Sequence, residues 1–359
     1  MNSTAAEPTA LPSAPAAPGA AIEVEGVARS FGDVHAVRDA SFTVQPGSVT
    51  ALIGPNGSGK TTLLLMLATL LRPDTGTIRI AGHDPVADPR AVRQVMGWMP
   101  DVLGSWGSVT VRRTLEITGR LYELGPEQAR ARAQQLIDLV GLEALADRPT
   151  RVLSRGQKQR LSLARALVHQ PRVLLLDEPA SGLDPAARVE LRVLVRRLAS
   201  EGVAVLVSSH VLAELDEMAD AAVYLDRGAT ASAERIEQSR ARVRDWRVRA
   251  IDPVALAAAL ERLGVPAGEP DHLGTTVAVA GEQEAASVLA RLVAENVAIT
   301  AFGPAVGELE ATFLDLARSA DGRADGTADT VPDAGAAGAG ATDAGAADPA
   351  SAPTEGSAR

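Results

Sequence analysis

The 359-residue sequence contains no cysteine. Disulfides and thiolate metal sites are therefore excluded, and a reducing compartment fits. Lysine is almost as scarce, since the thirty-five basic residues include only Lys60 and Lys158. No apolar run approaches membrane-spanning length: the longest, LLLMLATLL at 63–71, reaches about half of it. The Ala/Pro-rich start lacks the basic and apolar segments of a secretion signal, so a soluble, cytoplasmic chain is expected. An excess of positive charge is missing too. The formal net charge is -10, and half of it lies in the C-terminal stretch, where Asp321, Asp325, Asp329, Asp333, Asp343, Asp348 and Glu355 face only Arg323 and Arg359. A mildly acidic remainder argues against nucleic acid as the main partner, because phosphate neutralisation needs a basic surface.

Both ends have little that could be buried. Residues 1–21 and 319–359 are dominated by Ala, Pro, Gly, Ser, Thr and Asp, and are expected to be disordered tails. About 300 residues remain, enough for roughly two domains. From Ile22 the pattern is strand-like, with IEVEGVARSF and ASFTV before a Pro46-Gly47 turn, which predicts an antiparallel opening. SVTALI, a glycine-rich loop and a leucine-rich helix ending before Pro73 follow in that order, and GTIRIAG returns to strand. Residues 108–146 carry helical periodicity, with Pro126 near a helix start. VLLLD at 173–177 and VAVLVSSH at 203–210 read as strands buried on both faces. The expected architecture is a doubly wound α/β domain over 22–235 with a helical insertion at about 97–170. A small α/β domain over 240–318 follows, with strands at DWRVRAI, TTVAVA and VAITAF and helices near 253–263, 282–295 and 307–317.

Gly54-Pro55-Asn56-Gly57-Ser58-Gly59-Lys60-Thr61-Thr62 fits the phosphate-loop pattern G-x-x-x-x-G-K-[ST]. Its glycines let backbone N–H groups curl inward while the next helix adds its positive end, so a polyphosphate meets donors already in place. Lys60 is placed to reach the β and γ phosphates and Thr61 to give a hydroxyl to Mg²⁺. Arginine cannot replace a compact ammonium there, and one of the two lysines stands at that position. Asp177 and Glu178 close a buried strand, where ligands of an open α/β sheet gather. Asp177 suits a metal-holding role through water, and Glu178 the orientation or deprotonation of an attacking water. Further on, Ser154 is suited to cap a helix whose Leu161, Leu163, Ala164 and Leu167 share one face. A serine hydroxyl, a glycine N–H and a helix N-terminus make a second phosphate clamp.

With LSRGQ at 153–157, about twenty residues before the acidic pair, the chain resembles the ATP-binding-cassette (ABC) ATPases, whose signature reads LSGGQ. The resemblance covers about 22–235 and implies a P-loop NTPase with a mixed sheet core, an antiparallel β subdomain and a helical insertion. It further implies that Phe31 stacks on adenine, that Ser154, Gly156 and Gln157 contact the nucleotide, and that Ser181-Gly182-Leu183-Asp184 crosses to a second subunit. His210 takes the position of the histidine that contacts the γ phosphate. Two departures stand out: Arg155 replaces the second signature glycine, adding a cation beside the clamp, and Asp101 ends MGWMPD where glutamine is usual. Asp101 is expected to fill that metal-sensing position.

The resemblance implies that one subunit's signature closes over the nucleotide of the other. With one phosphate loop and one signature in this chain, the second cassette comes from another chain, most simply a copy of this one. The expected role is the ATP-hydrolysing subunit of an ABC transporter, held on the inner face of the cell membrane by a separately encoded permease. The segment between Asp101 and the helix near 110 is expected on the permease-facing surface. The C-terminal appendage with ELEATFLDLA resembles that of bacterial multidrug and antibiotic exporters. The alternative is a soluble regulatory ATPase with a non-membrane partner.

Overall fold

A computed structural model describes residues 19–101, 104, 107–240 and 242–321. Apart from 19–21 and 319–321, the segments expected to be disordered lie outside the described residues. The chain order is β1 (Ile22–Phe31), β2 (Val34–Val44), β3 (Val49–Ile53), α1 (Lys60–Leu67), β4 (Thr75–Ile80), α2 (Pro89–Val95), β5 (Met96–Met99), α3 (Val111–Leu121), α4 (Pro126–Leu139), α5 (Arg155–Ala166), β6 (Val173–Asp177), α6 (Pro185–Ser200), β7 (Ala204–Ser208), α7 (Leu212–Asp216), β8 (Ala221–Asp226), β9 (Ala229–Thr230), α8 (Ala233–Arg240), β10 (Arg244–Ala250), α9 (Pro253–Arg262), β11 (Thr275–Val279), α10 (Gly281–Ala294), β12 (Ile299–Pro304) and α11 (Glu308–Asp321).

The first nine strands form one mixed sheet in the order β4-β1-β2-β9-β8-β3-β7-β6-β5. Its centre is parallel, with β3 between β7 and β8 and β6 between β7 and β5. Its outer part is antiparallel, where β1 pairs with β2 and β4. In β3, β6 and β7 every residue is buried. Side chains alternate across a pleated strand, so successive residues enter different cores. Leu174 and Leu176 pack with Ile53, Val207 and the insertion helices α3 to α5, while Val173 and Leu175 pack with Leu63, Leu64, Leu67 and the antiparallel strands. Each such leucine contributes roughly 1.5–3 kcal/mol of burial. The parallel strands and the antiparallel opening therefore share a single sheet.

In the insertion, Thr110 caps α3 by accepting from Arg113 N–H at 3.2 Å, and Pro126 begins α4. Arg132 of α4 is buried and donates to the carbonyls of Leu167 and Val168 at 2.7 and 3.1 Å, fastening α4 to the end of α5. The C-terminal strands make a three-stranded antiparallel sheet, β11-β10-β12, and Leu256 and Leu260 of α9 and Leu292 of α10 share a core with its Val248 and Val277. Helix α11 does not join that core. Leu309, Phe313 and Leu316 pack instead with the core of the large sheet, and Leu309 N–H donates to Asp216 of α7 at 2.8 Å.

Candidate nucleotide site

Strand β3 delivers the chain into the loop 54–59, and α1 begins at Lys60. Gly59 has a φ of 104°, and a Cβ there would lie 2.2 Å from the Ala36 carbonyl oxygen. Only glycine fits that approach and that backbone region. Ser58 N–H donates to the Pro55 carbonyl at 3.1 Å, and Gly228 N–H donates to the Ser58 carbonyl at 3.0 Å, so the loop is held from both sides. No side chain caps α1 and no acidic residue occupies its first turn. Its leading N–H groups are left for a ligand, and an anion suits them. Lys60 Nζ donates to the carbonyls of Gly54 at 2.6 Å and Pro55 at 3.1 Å. Burial lowers the Lys60 pKa, opposed by the charges of Glu178 and Asp177. The ammonium thus stands between the loop and the acidic pair.

Asp177 ends β6 and is buried. Ser208, at the end of neighbouring β7, donates its hydroxyl to Asp177 Oδ1 at 2.7 Å. Burial nevertheless pushes the Asp177 pKa up; the Ser208 bond opposes that, while Glu178 and Asp101 raise it further. Glu178 has a φ of 51°, a left-handed conformation that costs about 1–2 kcal/mol for a side chain of this kind. Its carbonyl accepts from Gln159 Nε2 at 2.9 Å and from Ser181 N–H at 3.1 Å. Its carboxylate Oε2 lies 2.7 Å from His210 Nδ1 and 3.3 Å from the His210 N–H. Lys60, Thr61, Thr62, Asn56, Asp101, Asp177, Glu178 and His210 line one cleft of about 620 Å³. The residues that sequence reading placed at the phosphates and the metal are therefore brought together.

A divalent cation fits this acidic side, where a buried carboxylate is destabilised by two others. Among the described residues, no three His, Asp or Glu converge closely enough to hold a metal alone. Phosphate and water oxygens would complete the shell, as magnesium sites commonly require.

The remaining residues lie at the edges. Phe31, at the end of β1, is 49% exposed with the Arg29 guanidinium over its ring at 4.8 Å. It does not line the cleft, whose wall on that side is Val34, His35 and Ala36. Ser154 caps α5, accepting from Gln157 N–H at 3.2 Å, while Gln157 Oε1 accepts from Ser154 N–H at 2.9 Å. Its hydroxyl proton stays available to a ligand. Arg155 is an exposed cation beside this clamp. It donates to Ser181 Oγ at 2.7 Å and lines the cleft of its own chain. Ser208 and Gln159 were missed as site residues; for Ser208, a hydroxyl at the end of the apolar run VAVLVS was the available signal.

The family model for ABC transporters matches residues 37–181. The daunorubicin resistance ATP-binding protein DrrA3 of Streptomyces coeruleorubidus is 41% identical over 208 residues, covering 58% of this chain and 66% of that protein. Nod factor export ATP-binding protein I of Burkholderia lata is 40% identical over 211 residues, covering 59% of this chain and 69% of the relative. A solved dimeric bacterial ABC transporter cassette superposes with a TM-score of 0.55 at 25% identity, covering 59% of this chain and 97% of the cassette. The matched segment thus spans about two thirds of these curated relatives.

Proposed function

Because the chain belongs to the ABC transporter family as an ATP-binding subunit with ATPase activity, we propose that it powers export through a separately encoded membrane permease, as a homodimer with two shared ATP sites. The observation that carries the site assignment is the meeting of the phosphate loop, Asp177, Glu178 and His210 in one cleft. Lys60 exchanges the carbonyls of Gly54 and Pro55 for the β and γ phosphates, and the loop N–H groups of Gly57 to Thr62 hold the rest. Thr61, Asp177 and, from the insertion side, Asp101 would hold Mg²⁺, which when bound would offset phosphate charge. Glu178 orients the attacking water, and His210 steadies its carboxylate and reads the γ phosphate. Phe31 meets the adenine, and Ser154, Gly156 and Gln157 of the second copy complete the cage.

Two observations support the transport role. The relatives named above serve drug resistance and Nod factor export. A groove of about 660 Å³ between β5 and α3 is lined by Leu70, Trp98, Pro100, Leu121 and Tyr122, with Leu70 60% and Leu121 71% exposed. It adjoins the segment expected to face the permease, of which residues 102, 103, 105 and 106 lie outside the described residues. No helix among the described residues is long and apolar enough to cross a membrane. In the proposed assembly the permease supplies the translocation path. Purifying the tagged chain from native membranes tests this: a co-purifying multispanning protein and ATP-driven efflux in its presence are expected. Recovery without any membrane protein would overturn the transporter reading, and uptake in place of efflux would overturn its direction.

A further inference from the structure

We propose that Arg155 is a positioning residue that couples the phosphate clamp at the start of α5 to the water-orienting Glu178 of the same chain. The proposal rests on the shared-site reading, in which that clamp serves the partner copy's nucleotide. Arg155 and Gln159 are one helical turn apart and share a face of α5. They grip the two ends of the turn that follows β6: Gln159 Nε2 donates to the Glu178 carbonyl at 2.9 Å, and Arg155 donates to Ser181 Oγ at 2.7 Å. The turn is closed on itself by Ser181 N–H donating to the same Glu178 carbonyl at 3.1 Å. Gln159 is buried and Glu178 sits at a positive φ, so this backbone holds its conformation only while its neighbours enforce it.

Gly182 shows that the arginine is accommodated along its length. Its φ is 76°, and a Cβ there would lie 2.6 Å from Arg155 Cδ, so the aliphatic stem lies flat on the glycine while the guanidinium reaches Ser181. A glycine in place of Arg155 could make neither contact. Of the two α5 side chains, only Gln159 would then grip the turn, at its Glu178 end. Any displacement of the first turn of α5, where Ser154 and Gly156 would meet the partner's ATP, is transmitted by Arg155 to Ser181 and on to Glu178.

The test compares Arg155→Gly, Arg155→Lys and Ser181→Ala in the full chain, measuring kcat and KM for ATP, apo melting temperature, and ATP-dependent dimerisation in a Glu178→Gln background. Arg155→Gly and Ser181→Ala are each expected to lower kcat about tenfold with KM, dimerisation and melting temperature near wild type, and the double variant to be no worse than either single one. Arg155→Lys, which keeps a donor on a flexible stem, is expected to recover part of kcat. Unchanged kcat in Arg155→Gly, additive losses in the double variant, or a loss expressed in dimerisation instead of kcat would overturn the proposal. Failure of Glu178→Gln itself to dimerise would instead refute the shared-site reading, so the two failures are distinguishable.

Discussion

His169 provides a quantitative test of the packing between the helical insertion and the sheet. Its ring stacks on Tyr122 with centroids 3.8 Å apart and planes 5° from parallel, and its Nε2–H donates to the Met96 carbonyl at 3.1 Å. Nδ1 is buried without a partner. A second proton would be desolvated and would sit near Arg132, and burial first of all lowers the His169 pKa to about 4. In the unfolded chain the ordinary value near 6.5 returns. The folded value is the lower one, so between the two the unfolded state binds more protons and stability falls as pH falls. The full shift corresponds to roughly 3 kcal/mol, of which about 2 kcal/mol is lost between about pH 7 and pH 5. Urea unfolding across that range would be compared for wild type and His169→Gln, which keeps a donor for Met96 but does not titrate. The wild-type minus variant stability should narrow or reverse by about 2 kcal/mol on acidification. A pH-independent difference would refute the buried neutral imidazole and the packing that produces it.

Asp101→Ala is expected to reduce ATP turnover by an order of magnitude or more while changing ATP affinity about twofold, read by steady-state hydrolysis and equilibrium nucleotide binding; equal losses in both would remove Asp101 from the metal-sensing role. Asp177→Asn should abolish hydrolysis yet raise the melting temperature of the nucleotide-free protein. Burial first, and then the charges of Glu178 and Asp101, raise the Asp177 pKa against the Ser208 bond and the Lys60 charge, so its negative charge is held less favourably in the fold than in water. A lower apo melting temperature would contradict that electrostatic reading.

What was legible in the sequence depended on how local its physical cause is. The phosphate loop was legible because glycine spacing and a lysine determine a backbone shape within nine residues. VLLLD and VAVLVS were legible because burial on both faces leaves continuous apolar runs, and both form central parallel strands. MGWM was not, since four residues with a glycine have no period of their own; β5 exists because it pairs with Val173 to Leu176. ELEATFLDLA announced a helix, but its apolar spacing could not say that Leu309, Phe313 and Leu316 pack on the large sheet and not on the small one. The supporting shell of the site was the least visible part. Ser208, Gln159 and Arg155 act on Asp177, Glu178 and Ser181 across separations of 19 to 31 residues, created only when β6, β7 and α5 assemble.

The central claim is that the cleft of one chain is half of an ATP site. Glu178→Gln keeps the phosphate loop and Asp177, proposed to hold the metal, while removing the carboxylate proposed to orient water. Light scattering on this variant measures the claim directly. With saturating Mg²⁺ and ATP its mass is predicted to double, and adding Lys60→Ala should return it to the monomer mass. A Glu178→Gln protein that binds ATP and remains at the monomer mass would contradict the account.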